Sequence, residues 1–337
     1  MNMTRIPPTV LGLLFCARIC GAEPAPAPKA SDTTPAISTA SPAAATPVAT
    51  PRPQIPPPTI ANVPYGTHPK QVLDFYKATA DTPTPLVFII HGGGWLNGDK
   101  QPVGVANFLK AGISVVSIQY RFTSDADAAG FWPPVEWPLH DAARALQFVR
   151  SKAGEWNIDK TRIGATGGSA GACSSLWLAF HDDMADPKSS DPVARESTRL
   201  WCAAVNAPQT TLDPQQMKDW TPNSTYGGHA FGFRGDGKKH TTGFQEFLAG
   251  REKVLPWIKE YSPYELVSSD DPPIYMTFGA PPALGQEQKD PTHTANFGVK
   301  LQEHCKEKGV ECELVYPGAP DVKHANTDLF LIDKLKK

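Results

Sequence analysis

Gly167-Gly168-Ser169-Ala170-Gly171 constrains the fold of this 337-residue chain more than any other stretch. Before it comes Arg162-Ile163-Gly164-Ala165-Thr166, a short and mainly apolar run that reads as a buried strand. After it, Ala172-Cys173-Ser174-Ser175-Leu176-Trp177-Leu178-Ala179-Phe180 reads as a helix. A strand, a Gly-x-Ser-x-Gly turn and a helix form the context of a nucleophile elbow. The turn is so tight that large neighbours would clash, and only Gly or Ala stands at 167, 168, 170 and 171. The Ser169 hydroxyl is therefore expected clear of the sheet edge. The Ala170 amide would lie at a helix N-terminus, where it can meet a developing oxyanion. The alternative is a glycine-rich loop with an incidental serine. The flanking elements and a second motif upstream weigh against it.

That second motif is His91-Gly92-Gly93-Gly94-Trp95. It follows Leu86-Val87-Phe88-Ile89-Ile90, a continuous apolar run of the kind buried on both faces of a parallel sheet. Open α/β sheets bind ligands at the carboxyl ends of such strands. Three glycines leave their amides sterically open, so the loop can aim two N–H groups at an oxyanion. No Gly-Lys-Ser/Thr follows, which disfavours a phosphate-cradling loop.

Strands and helices alternate around these motifs. One or two entry strands are expected within 63–76, and further strands at 113–118, 200–205, 274–278 and 310–316. Helices are expected at 103–111, 137–152, 295–308 and 326–337, with 123–134 as loop. This alternation argues for a mostly parallel central sheet flanked by helices. Residues 209–264 break the pattern with Trp220, Tyr226, Phe231, Phe233, Phe244, Phe247, Trp257 and Tyr261 among glycines. They read as a lid inserted between strands, whose aromatics could stack on sugars or serve the lid's own packing.

The N-terminus adds a compartment. Arg5, the apolar core from Val10 to Ala17 and the Cys20-Gly21-Ala22 cleavage site read as a secretory signal peptide over 1–22. Residues 23–59 are mostly Pro, Ala, Thr and Ser, too poor in large apolar groups to offset ordering entropy, and read as a disordered linker. Residues 60–337 then form the catalytic domain, secreted or periplasmic. The net charge of −2 and pI near 6.5 indicate no nucleic-acid surface. No later stretch reaches transmembrane length. Cys173, Cys202, Cys305 and Cys312 survive cleavage; Cys305 with Cys312 is the pair a disulfide would join, and buried free thiols are the alternative.

A serine nucleophile needs a base, and on this fold the triad runs Ser, acid, His. His324, in the loop after the last strand, is the expected base. His293, between a strand and a helix, is its rival, and His304 lies within a helix. The acid should lie in the loop after 274–278, which contains Glu287 and Asp290. Asp290, before Pro291 and the helix, is preferred because an N-cap-like position fixes its direction; Asp321 is the alternative. Asp270 and Asp271 precede the strand and fall at the wrong end of the sheet. His181-Asp182-Asp183 with Asp186 and Asp191 fits no metal-loop spacing, so no metal and no cofactor is expected.

His91-Gly92-Gly93-Gly94-Trp95, Gly98-Asp99-Lys100, Gln119-Tyr120-Arg121 and Gly168-Ser169-Ala170-Gly171 resemble the α/β-hydrolase esterases of the hormone-sensitive-lipase and acetyl-esterase type. That group includes bacterial acetyl xylan and feruloyl esterases. The resemblance covers 65–324 and implies a Ser169, His324, Asp290 mechanism, with oxyanion donors at the amides of Gly93, Gly94 and Ala170. Asp290-Pro291 resembles the family's Asp-Pro pair. Two features depart from the pattern: 279–290 is longer than the usual strand-to-acid turn, and Ala325-Asn326 follows His324 where many relatives carry Gly. The expected activity is hydrolysis of short-acyl or carbohydrate-linked carboxylic esters. Arylformamidase-like, prolyl-oligopeptidase-type and non-catalytic readings stand as alternatives.

Overall fold

The computed structural model describes residues 55–100, 102, 104–236 and 240–337, all within the unit Arg52–Lys337. The expected signal peptide and nearly all of the expected linker lie outside the described residues.

Eight strands form one sheet: β1 (Ile60–Pro64), β2 (Val72–Tyr76), β3 (Thr84–Ile90), β4 (Ser114–Ile118), β5 (Ile158–Gly168), β6 (Cys202–Asn206), β7 (Ile274–Thr277) and β8 (Cys312–Val315). Their spatial order is β1-β2-β4-β3-β5-β6-β7-β8. The pairings β1–β2 and β2–β4 are antiparallel, and all the others are parallel. Every residue of β3 is buried, as its unbroken apolar run requires of a strand covered on both faces. β4 lies on one side of β3 and β5 on the other, so the strand order reverses there and opens a crevice at the carboxyl ends.

Helices cover both faces. On one face lie α1 (Val105–Lys110) and α10 (Thr327–Leu335), which bury Phe108, Phe330, Leu331 and Leu335 against Val87, Val115 and Tyr275. Each such side chain contributes about 1.5–3 kcal/mol by leaving water. The other face packs α3 (Glu136–Ser151), α5 (Ala170–Phe180) and α9 (Ala295–Lys308) through Leu139, Leu146, Leu176 and Leu301. Thr123–Ala128 forms α2 within the stretch expected to be loop. Its first turn is fastened by Asp125, whose carboxylate accepts the Phe122 N–H at 2.7 Å and pairs with Lys70. A short turn, α4 (Ala153–Trp156), leads into β5.

Between β6 and β7 the chain inserts α6 (Pro214–Trp220), a 3-10 turn (Gly228–Phe231), α7 (His240–Tyr261) and α8 (Pro263–Leu266). Its aromatic residues largely pack on one another, with Phe247 stacked on Phe231 and Phe233 at 5.3 and 5.4 Å. No helix among the described residues is long and apolar enough to cross a membrane. Cys305 and Cys312, the pair a disulfide would join, are free thiols, as are Cys173 and Cys202. The neighbouring Cys305 thiol, together with burial, pushes the Cys312 thiol well up.

Candidate active site

Ser169 sits between β5 and α5 at φ 53°, ψ −123°, a conformation L-residues rarely adopt. Two glycines make the turn possible. A Cβ on Gly171 would stand 2.1 Å from the Ile90 carbonyl oxygen, and one on Gly167 would stand 2.5 Å from the same atom. The elbow is thus pressed against the end of β3, and backbone rather than flexible side chain fills the space. Ser169 is tied to the next strand as well, donating its N–H to Asn206 O at 3.0 Å.

The imidazole facing the serine is that of His293. Its Nε2 lies 2.9 Å from Ser169 Oγ, and its Nδ1 lies 2.9 Å from Asp290 Oδ2. A carboxylate only accepts, so Nδ1 carries the proton and Nε2 presents its lone pair to the hydroxyl. Carboxylate and imidazole share one turn. Asp290 Oδ1 accepts the backbone N–H groups of Thr292 and His293, both at 3.2 Å, which fixes the carboxylate beside the ring. Thr294 then caps α9, its hydroxyl accepting the Asn296 N–H.

His324 is placed elsewhere, and the expectation that it serves as the base is corrected. Its Nδ1 lies 2.7 Å from Glu313 Oε2, and its Nε2 lies 3.4 Å from Asp333 Oδ2. Its ring also meets Phe330 edge-on at 5.2 Å. The loop carrying it leaves β8, the edge strand, three strand spacings from β5. At 4.7–4.9 Å per spacing that is about 14 Å. Instead of returning to the elbow, the loop ties β8 to α10.

The long loop between β7 and α9 is ordered by amide side chains. Asn296 accepts the Ala283 N–H at 2.7 Å and donates to Trp220 O and Thr221 Oγ1. Asn223 and Gln288 bridge the same loop to the insertion. Fully buried Gln209 donates to Thr292 O at 2.7 Å, next to the turn of Asp290 and His293. The extra loop length is therefore held by contacts with the insertion, a relation no local motif encodes.

The loop after β3 lies against the elbow: a Cβ on Gly92 would stand 2.7 Å from Gly168 O and 3.5 Å from the Ser169 Cβ. Gly93 and Gly94 have φ of 96° and 63°, which favour glycine. Ala170 opens the 11-residue α5, where a helix supplies no acceptor for its first amides. Behind the loop, Tyr120 donates its hydroxyl to His91 O at 2.8 Å. His91 stacks on Tyr120 at 4.2 Å, and burial pushes its imidazole pKa down, towards the neutral form.

The acidic stretch after α5 uses its groups in structural contacts. His181 Nε2 lies 3.0 Å from Glu260 Oε1, and Asp183 accepts the N–H groups of Ala185 and Thr198. Among the described residues, no three His, Cys, Asp or Glu side chains are grouped to hold a metal ion.

A hydroxyl, an imidazole and a carboxylate in series beside a glycine loop make an arrangement able to carry out serine-hydrolase chemistry. The family model described as BD-FAE matches residues 73–284, and the chain belongs to that family. The chain is 30% identical over 151 residues to gut esterase 1 of Caenorhabditis elegans, covering 41% of this chain and 26% of that protein. It thus spans about a quarter of the length of that relative. An acetyl ester-xyloside bifunctional hydrolase from Caldicellulosiruptor lactoaceticus superposes with a TM-score of 0.54 at 23% identity, covering 73% of this chain and 76% of that one. A truncated carbohydrate esterase from gut microbiota gives a TM-score of 0.60 at 20% identity, covering 82% of this chain and 96% of that one. These likenesses show an α/β-hydrolase fold.

Proposed function

We propose that the chain is an exported serine esterase that hydrolyses short-acyl or carbohydrate-linked carboxylic esters through Ser169, His293 and Asp290. The observation that carries this reading is the 2.9 Å approach of His293 Nε2 to Ser169 Oγ. As Ser169 Oγ attacks the ester carbonyl, its proton passes to Nε2. Asp290 holds the ring and stabilises the imidazolium. The amides of Gly93, Gly94 and Ala170 receive the oxyanion, a single donor being worth about 3–4 kcal/mol in comparable sites. The imidazolium proton then goes to the leaving alkoxide, which departs as the alcohol and leaves an acyl-serine. Water, deprotonated by His293, releases the carboxylic acid and restores the serine. Membership of the BD-FAE family supports ester chemistry. The apolar segment Val10–Ala17 following Arg5 supports export.

The test is a panel of short-chain esters, acetylated and feruloylated sugars, N-formylkynurenine and prolyl peptides, with Ser169→Ala as the blank. Turnover confined to the esters and lost in Ser169→Ala is expected. Turnover of the formamide or the peptides alone, or ester turnover surviving in Ser169→Ala, would overturn the reading.

A further inference from the structure

Residues 93–95 run through three consecutive positive φ angles, 96°, 63° and 56°, and the third belongs to Trp95. A bulky residue in the left-handed region is strained, and such strain persists only where the surroundings over-determine it. The scaffold supplies most of the restraints. The Trp95 indole is fully buried and donates to Ser174 Oγ at 3.0 Å. Trp95 O accepts the Thr123 N–H, and Gly93 O accepts the Leu96 N–H.

Gly94 is restrained differently. Its carbonyl oxygen lies 2.7 Å from His229 Nε2, and His229 belongs to the 3-10 turn of the insertion. A carbonyl only accepts, so Nε2 is the protonated nitrogen. Tyr226, three residues earlier in the chain, packs beside the same carbonyl-bearing glycine. Its buried hydroxyl stands 3.9 Å from where a Gly94 Cβ would be, and its ring meets His229 edge-on at 5.2 Å. The turn is itself anchored to the scaffold. Val135 donates its N–H to Ala230 O at 3.0 Å, and the Trp132 indole donates to Phe231 O at 3.1 Å.

We propose that His229 is a positioning residue for the oxyanion site, holding the Gly94 carbonyl so that the neighbouring amides keep their aim. Gly94 has no side chain to limit its φ and ψ, so an unheld carbonyl lets the peptides on either side of its Cα rotate. Donors contribute to catalysis only when they are already oriented where charge develops. On this account the insertion helps to complete the catalytic site. The inference rests on the serine-esterase reading above.

The test compares His229→Gln, whose amide nitrogen can reach where Nε2 stands, with His229→Asn, whose amide falls short of Gly94 O. The probes are a short-chain acyl ester and a trifluoromethyl ketone of matching chain length, which forms a serine-bound oxyanion. His229→Asn should lower kcat by about 10- to 100-fold, the range a small misplacement costs, with KM within twofold. Its inhibition constant for the ketone should rise by a similar factor, and His229→Gln should recover most of both. A merely structural role would lower the thermal midpoint without moving the ketone constant against KM. The proposal is overturned if His229→Asn keeps the wild-type kcat and ketone constant, or if the Gln and Asn variants fall equally. An active Ser169→Ala protein would instead sink the esterase reading.

Discussion

Replacing His293 and His324 by alanine, one at a time, separates the geometry of this site from the order of its sequence. On the proposed mechanism, His293→Ala takes from the serine the acceptor of its proton, the Nε2 atom 2.9 Å away. Removal of the base in comparable hydrolases costs about 10⁴- to 10⁶-fold in kcat, or about 5–8 kcal/mol of transition-state stabilisation. His324→Ala removes a ring held by Glu313 at 2.7 Å and Asp333 at 3.4 Å. The side chain of Glu313 is only 9% exposed, but it keeps the backbone N–H groups of residues 323 and 324, at 2.9 and 2.7 Å. The main loss is then the hydrogen bond to the Glu313 carboxylate, about 1.5–3 kcal/mol, and a thermal midpoint lower by about 2–4 °C per kcal/mol in a domain of this size. Activity is read as kcat on a chromogenic acetyl ester, and stability by thermal melting. His293→Ala should be folded and inactive, and His324→Ala active and less stable. Loss of activity in His324→Ala with retention in His293→Ala would refute the argument.

Three further outcomes follow from the same contacts. Asp290→Asn should lower kcat by about 100-fold or more, because the ring loses the partner that sets its tautomer; activity within threefold of wild type would contradict this. Gly171→Ala would bring a Cβ to 2.1 Å from Ile90 O and 2.6 Å from His91 O, so it should cost at least about 1–3 kcal/mol in urea unfolding and disturb the elbow; an unchanged midpoint would show the elbow is not packed as described. Burial raises the Asp271 carboxyl to about 6, so between its unfolded value near 4 and pH 6 the native state binds the extra proton. Stability should fall across that window as pH rises. The urea midpoint of wild type relative to Asp271→Asn should therefore decline from pH 4 to pH 6, and a difference that stays flat or rises would contradict the burial.

Much of the fold was legible because it is written locally. The apolar run of β3 and the glycines of the elbow each encode their own geometry within a few residues. The histidine was harder. His293 and His324 both follow a strand and precede a helix, so position along the chain does not separate them. A usable signal was the spacing itself. Asp290 and His293 are three apart, which lets one turn receive two N–H groups on one carboxylate oxygen and the imidazole on the other. His324 instead stands eleven residues beyond Glu313, which takes its ring and its backbone N–H. Contacts made by Gln209, Asn296 and His229 were not legible, since each spans more than 70 residues to reach its partner. The α2 helix was hidden for a similar reason: its first turn depends on Asp125 meeting Lys70 from before β2.

The central claim is that the oxygen of residue 169 is the atom that becomes acylated. Reaction of the protein with a fluorophosphonate, followed by intact mass and peptide mapping, tests it most directly. A single adduct on the peptide containing Ser169, absent from Ser169→Ala, is the result expected. An adduct on another residue, or undiminished labelling of Ser169→Ala, would contradict it.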